Sequence, residues 1–259
     1  MLIDSHVNLH AAQFDEDRDA VIARARDAGV QIMVEISDRL STFEATHGLA
    51  MAHDDIWCTV GVHPHEARHY EDLTALSLVR LAERPRVVGI GECGLDFHYD
   101  LSPRDSQARV FRAHIQAARE TGLPLVVHTR EADEAMASIL REEHANNSFK
   151  LLMHCYTSGP ELAQLAAELG AWFSVSGIAT FKAAEEVRAV IRDMPADRII
   201  IETDCPYLAP IPYRGRRNEP AYIGHVLDKL AEIRGWSRDD AEARTTDAFF
   251  KLFHRIPSP

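Results

Sequence analysis

Short apolar runs rich in β-branched residues alternate along this chain with longer amphipathic stretches, the pattern of repeated βα units that build a parallel sheet. The runs predict strands at about 2–7, 31–36, 57–62, 87–92, 123–128, 150–154, 171–176 and 199–203. Between and after them the 3.6-residue periodicity predicts helices near 15–28, 41–53, 71–84, 104–121, 131–145, 159–169, 182–193, 220–234 and 238–253. Gly29, Gly122 and Gly170 each stand just before a strand, where a helix ends most easily in the left-handed conformation. Eight strands followed by helices are the complement of an α/β protein of the (β/α)8 TIM-barrel type. A chain of 259 residues with 46% hydrophobic content suits one such domain spanning 1–259, with no linker or low-complexity tract dividing it.

The polar residues that close the strands carry the chemistry. VVGIGE ends on Glu92, LPLVVH on His128, KLLMH on His154, RIIIETD on Asp204 and LIDSH on His6. In a parallel barrel all strand C-termini form one rim, so residues distant in sequence converge there. A single histidine at a strand end is ordinarily a satisfied core residue. Here His6, His63, Glu92, His128, His154 and Asp204 each close a different strand, and burying that many polar groups at one rim is costly unless they are hydrogen-bonded or hold a cation. Side-chain alternation adds that Asp4, His6 and Asn8 share a face of the first strand. Where each strand continues past its rim residue, alternation also turns Cys93, Cys155 and Cys205 away from the axis, into packing beneath the helices; with Cys58 they read as free thiols acting as small hydrophobes. His47, His53, His69, His98, His114, His144, His225 and His254 fall on predicted helices or loops and are left as surface or structural residues.

A net charge of −12 argues against broad, non-specific attraction to nucleic acid, so a polyanionic substrate would have to be held locally. The one dense basic cluster is Arg214, Arg216 and Arg217 in YRGRRNEP, which taken alone reads equally well as a solvated loop. No run approaches the roughly 20 apolar residues of a membrane span, and no leader is evident. A soluble, cytoplasmic protein without membrane partners is expected, and with no exposed heptad or apolar stripe in view, a monomer.

Taken together, DSH at 4–6, GVHPH at 61–65, GECGLDF at 91–97, VHTR at 127–130, MHC at 153–155, SGIATFK at 176–182, ETDCPYLAP at 202–210 and RGRRNEPAY at 214–222 resemble the TatD-family metal-dependent deoxyribonucleases, in order and over nearly the whole chain. The resemblance implies a metal-assisted 3′ to 5′ exonuclease acting on single-stranded DNA or RNA ends. Carried across, Glu92 would be the central, bridging carboxylate, with His128 and His154 binding one metal beside it and His6 and Asp204 serving another. Asp204 and Glu92 would be the catalytic pair, Asp204 either taking the proton of a water or acting only as ligand or anchor. His63 would contact a phosphate at the site edge, and Arg130, Arg216 and Asn218 would line the substrate path.

Most family members begin with a His-x-His pair, whereas this chain has His6 followed by Asn8, as in the VNL segment of TatD itself. An amide oxygen suits a hard cation better than a transition metal. The expected cofactor is Mg²⁺ or Mn²⁺, with Zn²⁺ an alternative occupant, at one or two sites, the His6–Asp204 site being the weaker. Two other readings stay open: an amidohydrolase-type enzyme acting on a small ester, amide or nucleobase, since the fold alone does not choose a chemistry, and a metal-binding protein with little catalysis.

Overall fold

The computed structural model describes residues 1–258. Eight strands form one sheet in chain order, every neighbouring pair parallel. They are β1 (Leu2–Val7), β2 (Val30–Glu35), β3 (Ile56–Val60), β4 (Val87–Asp96), β5 (Leu125–Arg130), β6 (Leu151–Met153), β7 (Trp172–Val175) and β8 (Ile199–Ile201). Closure runs through backbone: Val7 bridges Cys205 in parallel, Asp204 N–H donates to His6 O at 3.0 Å, and Asn8 N–H donates to Cys205 O at 3.0 Å. The result is the expected (β/α)8 barrel. The helices outside it are α1 (Arg18–Asp27), α2 (Phe43–Ala52), α3 (Ala75–Ala82), α4 (Arg104–Thr121), α5 (Asp133–Asn146), α6 (Pro160–Glu168), α7 (Glu185–Asp193), α8 (Ile223–Arg234) and α9 (Arg238–Leu252).

Two apolar layers follow from strand alternation. Leu125 and Val127, Leu151 and Met153, and Ile199 and Ile201 join the larger core, which also takes in residues of α1 to α8. The residues between them, Val126, Leu152 and Ile200, join Ile3, Val34 and Val88 in a second cluster. Side chains from six strands, several not adjacent, meet only if they point into the lumen. Phe249, Leu252 and Phe253 belong to that cluster, so α9 and the turn after it stopper the barrel at the end where the strands begin. The polar contacts agree: Thr246 Oγ1 donates to Met1 O at 2.9 Å, and Arg255 donates to Val87 O at 3.1 Å. The opposite end, where the strands finish, is left for the polar residues.

The elements begin and end within a few residues of their expected positions, with two informative exceptions. β4 runs to Asp96 rather than stopping at Glu92, and carries three further buried side chains up the rim, Cys93, Leu95 and Asp96. β6 stops at Met153, so alternation does not extend to Cys155. Cys155 has φ +42°, and its Sγ lies 3.1 Å from Ser176 Oγ. Cys58, Cys93 and Cys205 do lie in the outer core; Cys155 does not, which corrects the expectation from alternation.

Candidate metal centre

Glu92 is the hub of the rim. Its Oε1 lies 2.8 Å from His154 Nε2, 3.1 Å from His128 Nδ1 and 3.5 Å from His63 Nε2. Its Oε2 lies 3.4 Å from His6 Nε2, which is also 3.5 Å from Asp204 Oδ1. The His6 and His154 rings stack at 4.1 Å. The chain places Glu92 there by packing backbone against backbone: a Cβ on Gly61 of the neighbouring strand end would lie 2.4 Å from Gly91 Cα, and Glu92 N–H donates to Ser37 O at 3.0 Å. For β5, β6 and β8 the alternation is simple, the lumen residues Val126, Leu152 and Ile200 being followed two residues later by His128, His154 and Glu202.

Two carboxylates behind the histidines did not stand out in the sequence. Glu202, fully buried, lies 3.2 Å from His154 Nδ1 through Oε1 and accepts from Ser174 Oγ at 2.6 Å through Oε2. Asp96 meets His128 Nε2 at 3.2 Å and His65 Nε2 at 2.9 Å through one oxygen, Oδ2. Each lies on the lumen-facing set of its strand, Glu202 two residues before Asp204 and Asp96 four after Glu92, and that spacing was the available signal.

The electrostatics centre on Glu92. Burial alone would raise its carboxyl, but the charge of His154 and the His128 contact hold it well below the ordinary range. Burial works against protonating His154, yet Glu92 and Glu202 carry it well above the usual imidazole value, and Asp96 and Glu92 raise His128 in the same way. His63 goes the other way, pushed down to about 3 chiefly by burial, so it is neutral. Asp204 is pushed up to about 6 by burial, against the pull of His6 and His154.

These residues fit a divalent ion. His6 is buried, and neither ring nitrogen has a hydrogen-bond partner, an expensive state that a cation beside Nε2 would relieve. The donors are imidazole nitrogens and carboxylate oxygens, a set that suits divalent metals. Two trios, His6–Glu92–His154 and His63–Glu92–His128, each offer ligand atoms lying within 4.8 Å of one another.

His6, Glu92, His128, His154 and Asp204 are thus brought together, and His63 lies inside the cluster rather than at its edge. The remaining expectations divide. Arg130 is exposed, its guanidinium 4.8 Å over the Tyr99 ring, beside a cleft of about 650 Å³ that Phe97, Arg104 and Thr157 also line. Arg216 is exposed, and its side chain makes neither hydrogen bond nor ion pair among the described residues. Asn218 is fully buried and does not face a substrate path: its amide donates to Thr203 O at 2.8 Å and Tyr207 O at 2.6 Å, and its oxygen accepts from Glu219 N–H at 3.0 Å. It braces the loop after β8. Arg217 is likewise occupied by Asp17 at 2.7 Å. Asn8 turns its NH₂ toward Asp204 Oδ1 at 3.3 Å and Cys205 O at 3.0 Å, and so supports a carboxylate ligand instead of offering its own oxygen.

An eight-stranded parallel barrel with imidazoles and carboxylates gathered around one glutamate at its C-terminal rim defines a metal-dependent hydrolase. A family model described as TatD related DNase matches residues 3–254, and the chain belongs to that family. It is similar to the 3′-5′ ssDNA/RNA exonuclease TatD of Erwinia tasmaniensis, 39% identical over 260 residues covering 98% of this chain and 100% of that protein. The uncharacterized metal-dependent hydrolase YabD of Bacillus subtilis is 37% identical over 253 residues, covering 98% and 99%. The crystal structure of YJJV, a TatD homolog from Escherichia coli, superposes with a TM-score of 0.90 at 25% identity over 99% of this chain and 98% of that one. Among the described residues, no helix is long and apolar enough to cross a membrane.

Proposed function

We propose that this protein is a divalent-metal-dependent 3′ to 5′ exonuclease that removes 5′-mononucleotides from single-stranded DNA or RNA ends, working with Mg²⁺ or Mn²⁺ in the cytoplasm as a single barrel and a monomer. The observation that carries the reading is Glu92 with both oxygens shared among imidazoles of four other strand ends. The relative named as a single-stranded DNA and RNA exonuclease supports the substrate class.

Glu92 with His128 and His154 would hold the tighter ion, and His6 with Asp204 the weaker one, where Asn8 supplies no imidazole. A bound divalent ion would polarise a phosphoryl oxygen and ease deprotonation of water. Asp204, at the rim beside His6, would then accept the proton of that water. Its Oδ1 is engaged by Asn8 and faces His6, so Oδ2 remains for the proton. Arg130 and Arg216, both exposed and free of carboxylate partners among the described residues, supply local positive charge on an acidic surface.

The test is digestion of end-labelled single- and double-stranded oligonucleotides with Mg²⁺ or Mn²⁺. Mononucleotide release from the 3′ end, abolished by EDTA and by Glu92→Ala, is expected. Absence of nucleotide release under every metal condition, with hydrolysis of small esters or amides instead, would replace this reading by the small-molecule one.

A further inference from the structure

Asp204 has φ +55°, in the left-handed region that residues other than glycine seldom adopt. Such a residue persists only where its surroundings over-determine it. Here the chain on both sides is fastened group by group. Before Asp204, the fully buried Thr203 donates its N–H to Asp4 Oδ1 at 2.9 Å and its hydroxyl to Asp4 Oδ2 at 2.6 Å, and its carbonyl accepts the Asn218 amide at 2.8 Å. After Asp204, the Cys205 N–H returns to the same Thr203 hydroxyl at 3.3 Å, and Cys205 O accepts both the backbone N–H and the amide of Asn8 at 3.0 Å. Asp204 itself donates its N–H to His6 O at 3.0 Å, and its carbonyl accepts the Tyr207 N–H at 3.0 Å. The Thr203 hydroxyl therefore reaches across Asp204, from β1 on one side to the following residue on the other.

We propose that Thr203 is a positioning residue: its hydroxyl, anchored on Asp4, holds Asp204 in the left-handed conformation that keeps its carboxylate beside His6 Nε2, 3.5 Å away, and so sets the place of the ion those two residues share. A threonine hydroxyl can donate once and accept as well, and this one does both. Valine has the same branched shape and can do neither. Asp4 serves the partner ligand too, because the oxygen that takes the Thr203 N–H also accepts the His6 N–H at 3.3 Å. The seam that closes the barrel between β1 and β8 and the half of the centre built from His6 and Asp204 are thus one hydrogen-bonded unit. The fastening of Asp204 stands on these contacts alone, whereas its effect on nucleotide release rests on the exonuclease reading.

Calorimetry with Mn²⁺ and digestion of single-stranded oligonucleotides test this on the full chain. Thr203→Val should weaken by about tenfold the Mn²⁺ binding that Asp204→Ala also weakens, and should lower kcat by about tenfold or more with KM within about threefold of wild type. Thr203→Ser, which keeps the hydroxyl, should recover most of both losses. Thr203→Ala removes the same group and takes the place of the valine variant if that protein does not fold. The double variant separates aiming from general support of the fold. Added to Asp204→Ala, Thr203→Val should change Mn²⁺ affinity by less than about twofold, since a hydroxyl that works by aiming Asp204 then has nothing to aim. Losses that add in the double variant, a serine variant as impaired as the valine one, or wild-type Mn²⁺ affinity in Thr203→Val would each overturn the proposal. Wild-type Mn²⁺ affinity in Asp204→Ala would overturn it as well. If the wild type digests no nucleic acid, the exonuclease reading falls alone, and the calorimetric cycle still decides whether Thr203 positions Asp204.

Discussion

His10 should make stability fall as the solution becomes alkaline. Its Nδ1 lies 2.6 Å from Glu35 Oε1 and its Nε2 3.4 Å from Asp38 Oδ1, with only 10% of the side chain exposed. Burial opposes protonation, but the hydrogen bonds and charges of Asp38 and Glu35 outweigh it and raise the imidazole from 6.5 to about 9. At about 1.4 kcal/mol per tenfold change in proton affinity, that displacement corresponds to at most about 3.5 kcal/mol. Asp38 is 28% exposed and shared with Arg39, so about 1–2 kcal/mol is the working expectation. Because the folded value lies above the unfolded one, the contribution is fully present below pH about 6.5 and is lost as pH rises through about 9. Urea unfolding of wild type and His10→Gln at pH 6, 8 and 10 isolates it, since the other titrating groups cancel in the difference. The gap between the two proteins should shrink by about 1–2 kcal/mol from pH 6 to pH 10; a gap that stays constant refutes the charged triad. The consequence reaches the metal centre, because His10 joins the segment carrying Asn8 to the end of β2, and Asp38 O accepts the His63 N–H at 2.8 Å.

Three further outcomes are expected. Divalent-ion affinity measured by calorimetry should rise from pH 5.5 to pH 8, because His128 and His154, both raised by their carboxylate neighbours, must release protons to bind; pH-independent affinity would contradict that. Asn8→His should tighten the weaker class of sites by about tenfold, since it adds an imidazole beside Asp204, and an unchanged second class would show that Asn8 does not limit that site. Gly94→Ala should destabilise the fold by about 2–4 kcal/mol in thermal unfolding, because Gly94 has φ +134° and an added Cβ would fall 2.0 Å from His128 O; a melting temperature equal to wild type would refute the contact.

Much of this architecture was legible from alternating patterns. A parallel strand is short, β-branched and bounded by helix-period stretches, so eight of them can be counted, and His128 and His154 stand at strand ends where alternation points them inward. What escaped were positions whose meaning depends on a partner. Glu202 and Asp96 read as spacers within motifs until the histidines they face were placed. Asn218 sits in a segment dense with arginine and reads as exposed, yet the loop after β8 needs a buried amide to satisfy three backbone groups. Cys155 lies two residues past the end of β6 with φ +42°, so the alternation of a strand does not reach it.

The stopper formed by Phe249, Leu252 and Phe253 gives the barrel a single doorway. Whatever this enzyme hydrolyses therefore reaches Glu92, and leaves it, on the side of the strand C-termini alone.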